Sequence, residues 1–537
     1  MILTIVLFSC FIFFIIVYLW TINNSYDYFK RSGIPGPPHR FFFGHYQDLW
    51  SVKSVSKRFQ EWSRQYGSIY GLFVGTTPMY VVSDVDFLQE VYIKQFSSFH
   101  SRRLPILLRL QRGNRIHLFG ATGLRWRRQR HVINPTFSAA KLKLMMPLVN
   151  KCIEAMLKKL SEIVCDKKQE INIYTLYKRM TMDVICHCAF GIDTDMQNDV
   201  DNIYLKKSAE TFAVDVDKLF IVKMTDLFPF VVNPFCKFYL GQVAIRRLLI
   251  RLFPVLSKYI EETPGSWLTN HVRDVVNLRT SSSTATMIKR IDLLQLMIDA
   301  STTCDIHDHC DEEYTPKKLH EDEVVSNVFL FMIAGYETTS TALACSTYIL
   351  ATNPKVQDKL IEEIDQIKWD DRSHDEDTYE LAMNLSYLEI FVREVLRMYP
   401  ITTKGQVRQC NQTINIFGHI IEKNSIIQPD IFNSIIQPDI FSIHYNPDLW
   451  GPEDPNLFIP ERHLVKRHPI AWMPFGVGPR NCVGMRFALM ELKMCLIELL
   501  QQYRILPSDR TEEGFQLREK LSIGPDAVFI KLEKRSA

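Results

Sequence analysis

Cys482 stands in PFGVGPRNCVGMRFA, residues 474–488, where Gly476, Gly478 and Gly484 surround it and Arg480 precedes it by two positions. A helix is predicted to begin directly after this loop. Backbone N–H groups, a helix N-terminus and a nearby cation all favour a thiolate over a thiol. Glycines let the main chain curl close to the sulfur and leave room for a flat ligand. A nucleophilic cysteine needs a base, normally histidine, within reach, and none is near in sequence. A zinc site needs partner cysteines at short spacing, and the next, Cys495, falls in the middle of a predicted helix. A single thiolate on a soft-metal cofactor fits better, with haem iron as the best-known case.

FGVGPRNCVG resembles the haem-binding loop of the cytochrome P-450 superfamily: Phe, two residues, Gly, one residue, Arg, one residue, Cys, one residue, Gly. Phe475, Gly478, Arg480, Cys482 and Gly484 fill that pattern completely. The resemblance implies Cys482 as the axial ligand of a haem iron (haem b, iron protoporphyrin IX), with Phe475 and Gly476 among the residues that hold the group.

Further motifs fall in the family's order. Glu394-Val-Leu-Arg397 lies on a predicted helix over 387–398, so the two charges share a face at i, i+3. Alone this is an ordinary surface ion pair; in the family it joins the Arg of a Pro-Glu-Arg segment, here Pro460-Glu461-Arg462, to brace the haem loop. The family form continues with Phe, whereas this chain has His463. Trp126-Arg-Arg-Gln-Arg130 resembles the family's WxxxR, whose indole and guanidinium donors suit a haem propionate. Arg408 and Arg102 are further propionate partners by resemblance.

AGYETTS, residues 334–340, sits in a predicted long helix over 323–350. Mid-helix Thr and Gly disfavour helix, which favours a chemical use over a solvated polar face. The resemblance implies that Ala334 and Gly335 thin the helix to admit dioxygen and substrate. It also makes Glu337 and Thr338 the catalytic acid and hydroxyl that deliver protons. Within the superfamily, IDLLQLMIDA (291–300), FMIAGYETTS (331–340), INPTFSAAKLK (133–143) and GPRNCVGMRFALM (478–490) place the chain nearest the clan that contains vertebrate family three, subfamily A.

The implied activity is insertion of one oxygen atom from dioxygen into a small apolar substrate. Two alternatives stay open: a reductase-independent isomerase that rearranges peroxides, and a non-enzymatic haem carrier or sensor. Glu337 and Thr338 argue against both. The chain has no flavin or NADPH fingerprint. Electrons are therefore expected from NADPH–cytochrome P-450 reductase, with cytochrome b5 as a further partner. Arg127, Arg128, Arg480, Arg486 and Lys493 are expected to frame a basic docking face.

The elements that must position these residues read as mostly α with a minor β part, the cytochrome P-450 fold. The 537 residues are 47% hydrophobic, ample for a large core, and the net charge of +3 gives no argument for nucleic acid. Twelve scattered cysteines suggest reduced thiols rather than a disulfide framework. Residues 2–20 carry no charge and are long enough, at about 1.5 Å per residue, nearly to span a bilayer core of about 30 Å. Lys30, Arg31 and Arg40 follow this span, which leaves the body on the cytosolic side of the membrane; the resemblance implies that of the endoplasmic reticulum. The expected domains are an anchor over 1–22, a Pro/Gly-rich hinge over 23–40 and a catalytic domain over 41–537. Residues 67–84 read as a hairpin, short strands return over 405–443, and a helix over 486–503 closes the list. The apolar stretch 219–240 is broken by charges and prolines, and suits a lid, a lipid-dipping surface or core packing. Cys304, His307, His309 and Cys310 have zinc-like spacing, on an acidic segment better read as a connector. NSIIQPDIF occurs at 424–432 and again at 433–441. A strand shifted by an odd number of residues swaps its faces, so one copy is expected to pair and the other to be extruded.

Overall fold

The computed structural model describes residues 2–535 apart from 104–114, 165–169, 229–230, 254, 256–261, 282–291, 305, 307, 309–316, 368–374, 424–433 and 513–514. It is mainly helical with small sheets. Helix α1 (Ile2–Ser25) has only Ile22 buried and a mean hydropathy of 3.0, long and apolar enough to cross a membrane. It is a candidate membrane anchor.

The segment expected as a hinge is packed down. Tyr26, Tyr28, Phe29 and Ile34 are buried. Strands β1 (Ile69–Val74) and β2 (Thr77–Val82) form the hairpin. The Gly71 N–H donates to Pro35 O at 2.8 Å, and a Cβ on Gly36 would lie 2.2 Å from Gly71 O. Only glycine lets the chain approach the strand that closely. Residues 26–36 are thus held against the body.

The body is built on helices α2 (Gly123–Ile133), α3 (Ala139–Ile163), α4 (Ile173–Ile185), α5 (Phe220–Leu227), α6 (Val232–Leu252), α7 (Glu321–Thr352) and α8 (Ser386–Met398). Helix α7 is the axle. His320 caps it, accepting from Asp322 N at 3.1 Å, while Glu323 accepts from His320 N at 3.0 Å. Three acids in its first turn complement the positive end of the helix dipole. Glu323 also takes Arg128 of α2 at 2.7 Å, which fastens the two helices.

Strands β3 (Arg408–Gln409) and β4 (Ile435–Pro438) complete a four-stranded sheet in the order β1-β2-β4-β3. Ile436 pairs with Tyr80 in parallel and with Arg408 antiparallel. The second NSIIQPDIF copy therefore supplies the strand; the first, 424–432, lies outside the described residues. The choice has a physical reason. The short helix Ile440–His444 straddles the end of the second copy. Asp439 caps it through Ser442, and His444 Nδ1 meets Arg397 O at 2.8 Å. Were the first copy in the strand, Ser434 and Ile435 would replace buried Ile443 and His444.

Helix α9 (Met485–Gln502) leaves the Cys482 loop. Past it, β5 (Tyr503–Pro507) and β6 (Phe529–Lys534) pair antiparallel, and Ile171–Asn172 adds a third strand. These C-terminal strands were not expected from the sequence. The apolar stretch 219–240 enters α5 and α6, which expose Phe220, Phe238, Ile245 and Leu252; core packing accounts for only part of it, around Val222, Val232 and Cys236.

Candidate haem-thiolate site

The loop before α9 is shaped by two glycines in the left-handed region, Gly476 at φ +68° and Gly478 at φ +72°. A Cβ on Gly478 would sit 2.1 Å from Tyr92 O, so no other residue fits there. The Cys482 N–H donates to Phe475 O at 2.8 Å, closing the loop. Phe475 packs with Trp472 on the main core, and Gly476 N–H donates to Met473 O at 3.1 Å. Cys482 lies within protein mass yet keeps an accessible face. Burial raises the pKa of its thiol; the Gly484 N–H and the Arg130 and Arg102 charges work against that rise.

Four predicted arginines converge on this loop. Arg130 donates to Asn481 O and Oδ1 at 2.9 and 2.8 Å, gripping the residue before Cys482. Arg102 Nη2 donates to Arg480 O at 3.1 Å. The Arg480 guanidinium lies over the Trp126 ring at 5.1 Å and donates to the Ala121 carbonyl at 2.6 Å. Arg408 stacks on Tyr92 and donates to Gln406 O and Val407 O. None pairs with a carboxylate among the described residues. The Nε atoms of Arg102, Arg408 and Arg480 are buried without a partner. Burial, joined by repulsion from neighbouring arginines, lowers the pKa of Arg102, and that of Arg480 to about 9. Such a cluster is costly unless anions meet it. The donors and the accessible sulfur suit a flat dianionic group with a thiolate-bound metal.

Across from the loop, the Phe137 ring packs on Phe331 of α7 and lies 3.8 Å from where a Gly484 Cβ would be. Phe331, Ala334 and Thr338 share one helix face at i, i+3, i+7. That face therefore turns toward the Cys482 side, with Ala334 exposed. Thr338 Oγ1 donates to Ala334 O at 2.6 Å. Glu337 points elsewhere. It accepts from the Tyr174 hydroxyl at 3.1 Å and lies 3.5 Å from Lys178 Nζ, both on α4. Adjacent helix residues diverge by about 100°, so the acid and the hydroxyl do not touch. Gly335 also differs from expectation: a Cβ there would lie 2.5 Å from Ile185 Cδ1. It serves close packing of α7 on α4, not thinning toward a ligand.

Glu394, Arg397 and Arg462 form a fully buried cluster. Arg397 Nε donates at 2.7 Å and Arg462 Nε at 2.9 Å to the Glu394 carboxylate. Arg397 also donates to His444 O, and Arg462 to Trp450 O, both at 2.6 Å. The residue missed is His463, whose Nε2 lies 3.0 Å from Glu394 Oε2. Its place in PERH was the only signal. Burial would raise the Glu394 pKa, but hydrogen bonds from Arg397 and His463 and the Arg397 charge lower it to about 2. Tyr174 and Lys178 were also missed, because nothing local in sequence marks a helix more than 150 residues from its partner.

Of the five cations expected on a docking face, Arg127 and Arg486 are exposed. Arg128, Arg480 and Lys493 are buried, and do not contribute: Arg128 is consumed by Glu323 and Asp308, and Lys493 by Glu389 and Met383 O. Of the zinc-like set, Cys304 is exposed, and His307, His309 and Cys310 lie outside the described residues.

A family model described as Cytochrome P450 matches residues 34–532. The chain belongs to the cytochrome P450 family. The pig cytochrome P450 3A29 is 32% identical over 97% of this chain and 95% of its own length. CYP13A2 of Caenorhabditis elegans is 31% identical over 99% and 98%. The rat cytochrome P450 3A2 is 30% identical over 97% and 96%. The chain is thus a haem-thiolate monooxygenase of the P450 fold that works with redox partners on a small substrate, near the 3A group.

Proposed function

We propose that this P450 is anchored by α1 in the endoplasmic reticulum membrane with its body in the cytosol. It oxidises a small apolar substrate with electrons from NADPH–cytochrome P-450 reductase and, as a second donor, cytochrome b5. The observation that carries the reading is the exposed Cys482 ringed by arginines that have no carboxylate partner among the described residues. The prosthetic group would be haem b, which when bound supplies dioxygen activation. Cys482 would ligate it, and Arg102, Arg130, Arg408, Arg480 and the Trp126 indole would meet its propionates, with Phe475 and Gly476 along the loop.

The chain's own residues then divide the work. Against the burial that raises its pKa, the Gly484 N–H, Arg130 and Arg102 favour the Cys482 thiolate, and deprotonation would be completed on metal binding. Thr338 Oγ1 already donates to Ala334 O, so its lone pairs face the open side as proton acceptors. Glu337, held by Tyr174 and the partly exposed Lys178, does not touch that hydroxyl and would exchange protons with it only through water. Glu394, Arg397 and Arg462 brace the loop from behind. Exposed Arg127 and Arg486 offer charge to an acidic reductase. The apolar faces of α5 and α6 lie against lipid.

The deciding experiment is a reduced-plus-carbon-monoxide difference spectrum of the full-length protein in membranes, beside Cys482→Ser. A Soret band far to the red in the parent, absent in the variant, is expected. An imidazole-type spectrum, or a variant with an unchanged band, refutes sulfur as the ligand. NADPH-independent turnover would refute the reductase-fed reading.

A further inference from the structure

We propose that Asp308 is a positioning residue: through Arg125 and Arg128 it holds α2 at the rotation that presents Trp126 and Arg130 to the Cys482 loop. This rests on the reading that the Cys482 cluster is the haem site. Asp308 belongs to the connector that precedes α7. Its Oδ2 accepts from Arg125 Nε at 2.9 Å, and its Oδ1 from Arg128 Nε at 2.8 Å. Arg128 turns its other two nitrogens to Glu323, at 2.7 and 2.8 Å, and Gln129 Nε2 donates to the same carboxylate at 3.0 Å. The side chains of Arg128, Asp308 and Glu323 are 2%, 12% and 0% exposed, so the set lies largely out of water.

Helix α2 depends on polar attachment because little else holds it. Of its 11 residues, only Trp126 and Ile133 are buried apolar side chains. Successive helical residues point about 100° apart, so Trp126 and Arg130 share one side and Arg125, Arg128 and Gln129 another. The first side reaches the site: Arg130 donates to Asn481 O and Oδ1, and the Arg480 guanidinium lies over the Trp126 ring. The second side meets the two carboxylates. Arg127, between these sides, is exposed.

Glu323 alone cannot fix the rotation. Arg125 Nε lies 3.9 Å from Glu323 but 2.9 Å from Asp308. Two guanidiniums against two carboxylates leave that side neutral, and attachment to two separate elements sets an angle where a single contact would allow a pivot. The connector is itself held, since Ile306, two residues before Asp308, is buried. Burial raises the Asp308 pKa, but hydrogen bonds from Arg128 and Arg125 bring it below the ordinary carboxylate value, so it stands there as an anion. Without that anion the buried Arg128 Nε loses its acceptor and one cation is left in excess. Helix α2 relieves this by turning Arg128 toward water, and the same turn carries Trp126 and Arg130 off the loop.

The test is transfer of haem from the full-length, detergent-solubilised protein to excess apomyoglobin, followed by the Soret band. Losing a hydrogen bond to a charged group corresponds to roughly tenfold in an equilibrium constant, so Asp308→Asn is expected to speed transfer roughly tenfold. Asp308→Glu keeps the charge and should stay within about threefold of the parent. Positioning is separated from plain stability in an Arg130→Gln background. There the same Asp308→Asn change should alter the rate by less than about threefold, because the contact it acts through is already gone, whereas independent effects would add and give the tenfold again. Where Asp308→Asn does not fold, Arg125→Gln, which removes one of the two attachments to Asp308, takes its place, with roughly threefold expected. Unchanged transfer in the folded variants overturns the proposal. So does full acceleration in the Arg130→Gln background. A parent protein with no thiolate-type band in the reduced carbon monoxide spectrum would instead overturn the haem-site reading.

Discussion

The duplicated NSIIQPDIF offers a test in which the same substitution in the same local sequence should have two different outcomes. Ile436 is 0% exposed, and sits in the sheet between Tyr80 and Arg408. Truncating it to alanine removes three carbon groups from a core with Tyr28, Phe73, Tyr80 and Ile440. Transfer alone accounts for about 2.4 kcal/mol at about 0.8 kcal/mol per carbon. The residual cavity brings the cost to about 3–4 kcal/mol. Ile427 is its counterpart nine residues earlier. The sheet has one such slot, and Ile436 fills it, so Ile427→Ala takes nothing from it and should cost no more than about 0.5 kcal/mol. The assay is urea unfolding of detergent-solubilised protein followed by tryptophan fluorescence. Ile436→Ala should lower the midpoint by on the order of 1 M, with Ile427→Ala matching the parent. Because Ile436 pairs with Arg408, retention of the prosthetic group should fall in the first variant alone. Equal losses in the two variants, or a silent Ile436→Ala beside a damaging Ile427→Ala, would refute the register and the argument from the Ile440–His444 helix.

Glu394 makes stability depend on acid. A carboxylate whose folded pKa is depressed to about 2 contributes stability that is complete above its unfolded value of about 4.3 and is lost as pH falls through about 2. Between pH 5 and 2.5 the Glu394 share of the loss in thermal melts should be about 3 kcal/mol at most, and Glu394→Gln should be destabilised at neutral pH and lose less than the parent over that window by that share. Arg408→Leu should stabilise the protein stripped of its prosthetic group, since it removes a buried cation with an unpartnered Nε, while speeding transfer of the group to apomyoglobin by roughly tenfold. Gly335→Ala should change melting by no more than about 1 kcal/mol, because helix propensity offsets a shift of the Ile185 tip. Gly335→Val should cost about 1–3 kcal/mol and be relieved by Ile185→Ala. His463→Phe should stay within about 1 kcal/mol, as Glu394 keeps Arg397, Arg462 and the Ile459 N–H.

What could be read from sequence was whatever is encoded locally. The Cys482 loop needs glycines at fixed offsets to hold positive φ and let Tyr92 approach, so its geometry is written in ten consecutive residues. The i, i+3 pair Glu394–Arg397 and the long apolar period of α7 are local in the same sense. What could not be read depends on distant partners. Gly335 looked like a gap for a ligand, and only Ile185 on α4 shows that a helix fills it. Glu337 and Thr338 are neighbours in the chain, and the sequence suggests a pair; helical geometry turns one to Tyr174 and the other to the Cys482 side. Arg128 and Lys493 looked like surface charge until Glu323 and Glu389 were found beside them. Strands β5 and β6 close their sheet with Ile171–Asn172, a long-range pairing that no window of sequence contains.

Two sets of buried arginines in this protein show how a site separates itself from a scaffold. Arg397 and Arg462 spend their charge on Glu394 and their remaining donors on carbonyls, and the set is satisfied within the chain. Breaking such a group from one side is costly. Arg102, Arg408 and Arg480 lie over aromatic rings, donate to carbonyl oxygens, repel each other and leave three buried Nε atoms without partners among the described residues. Folding alone does not explain why that second set persists, because apolar side chains of similar size would cost less. A cluster that destabilises the chain by itself is stabilised by whatever anion binds there, and the stabilisation grows with occupancy. The imbalance of charge around Cys482 therefore identifies the site on energetic grounds, independently of the sequence motif.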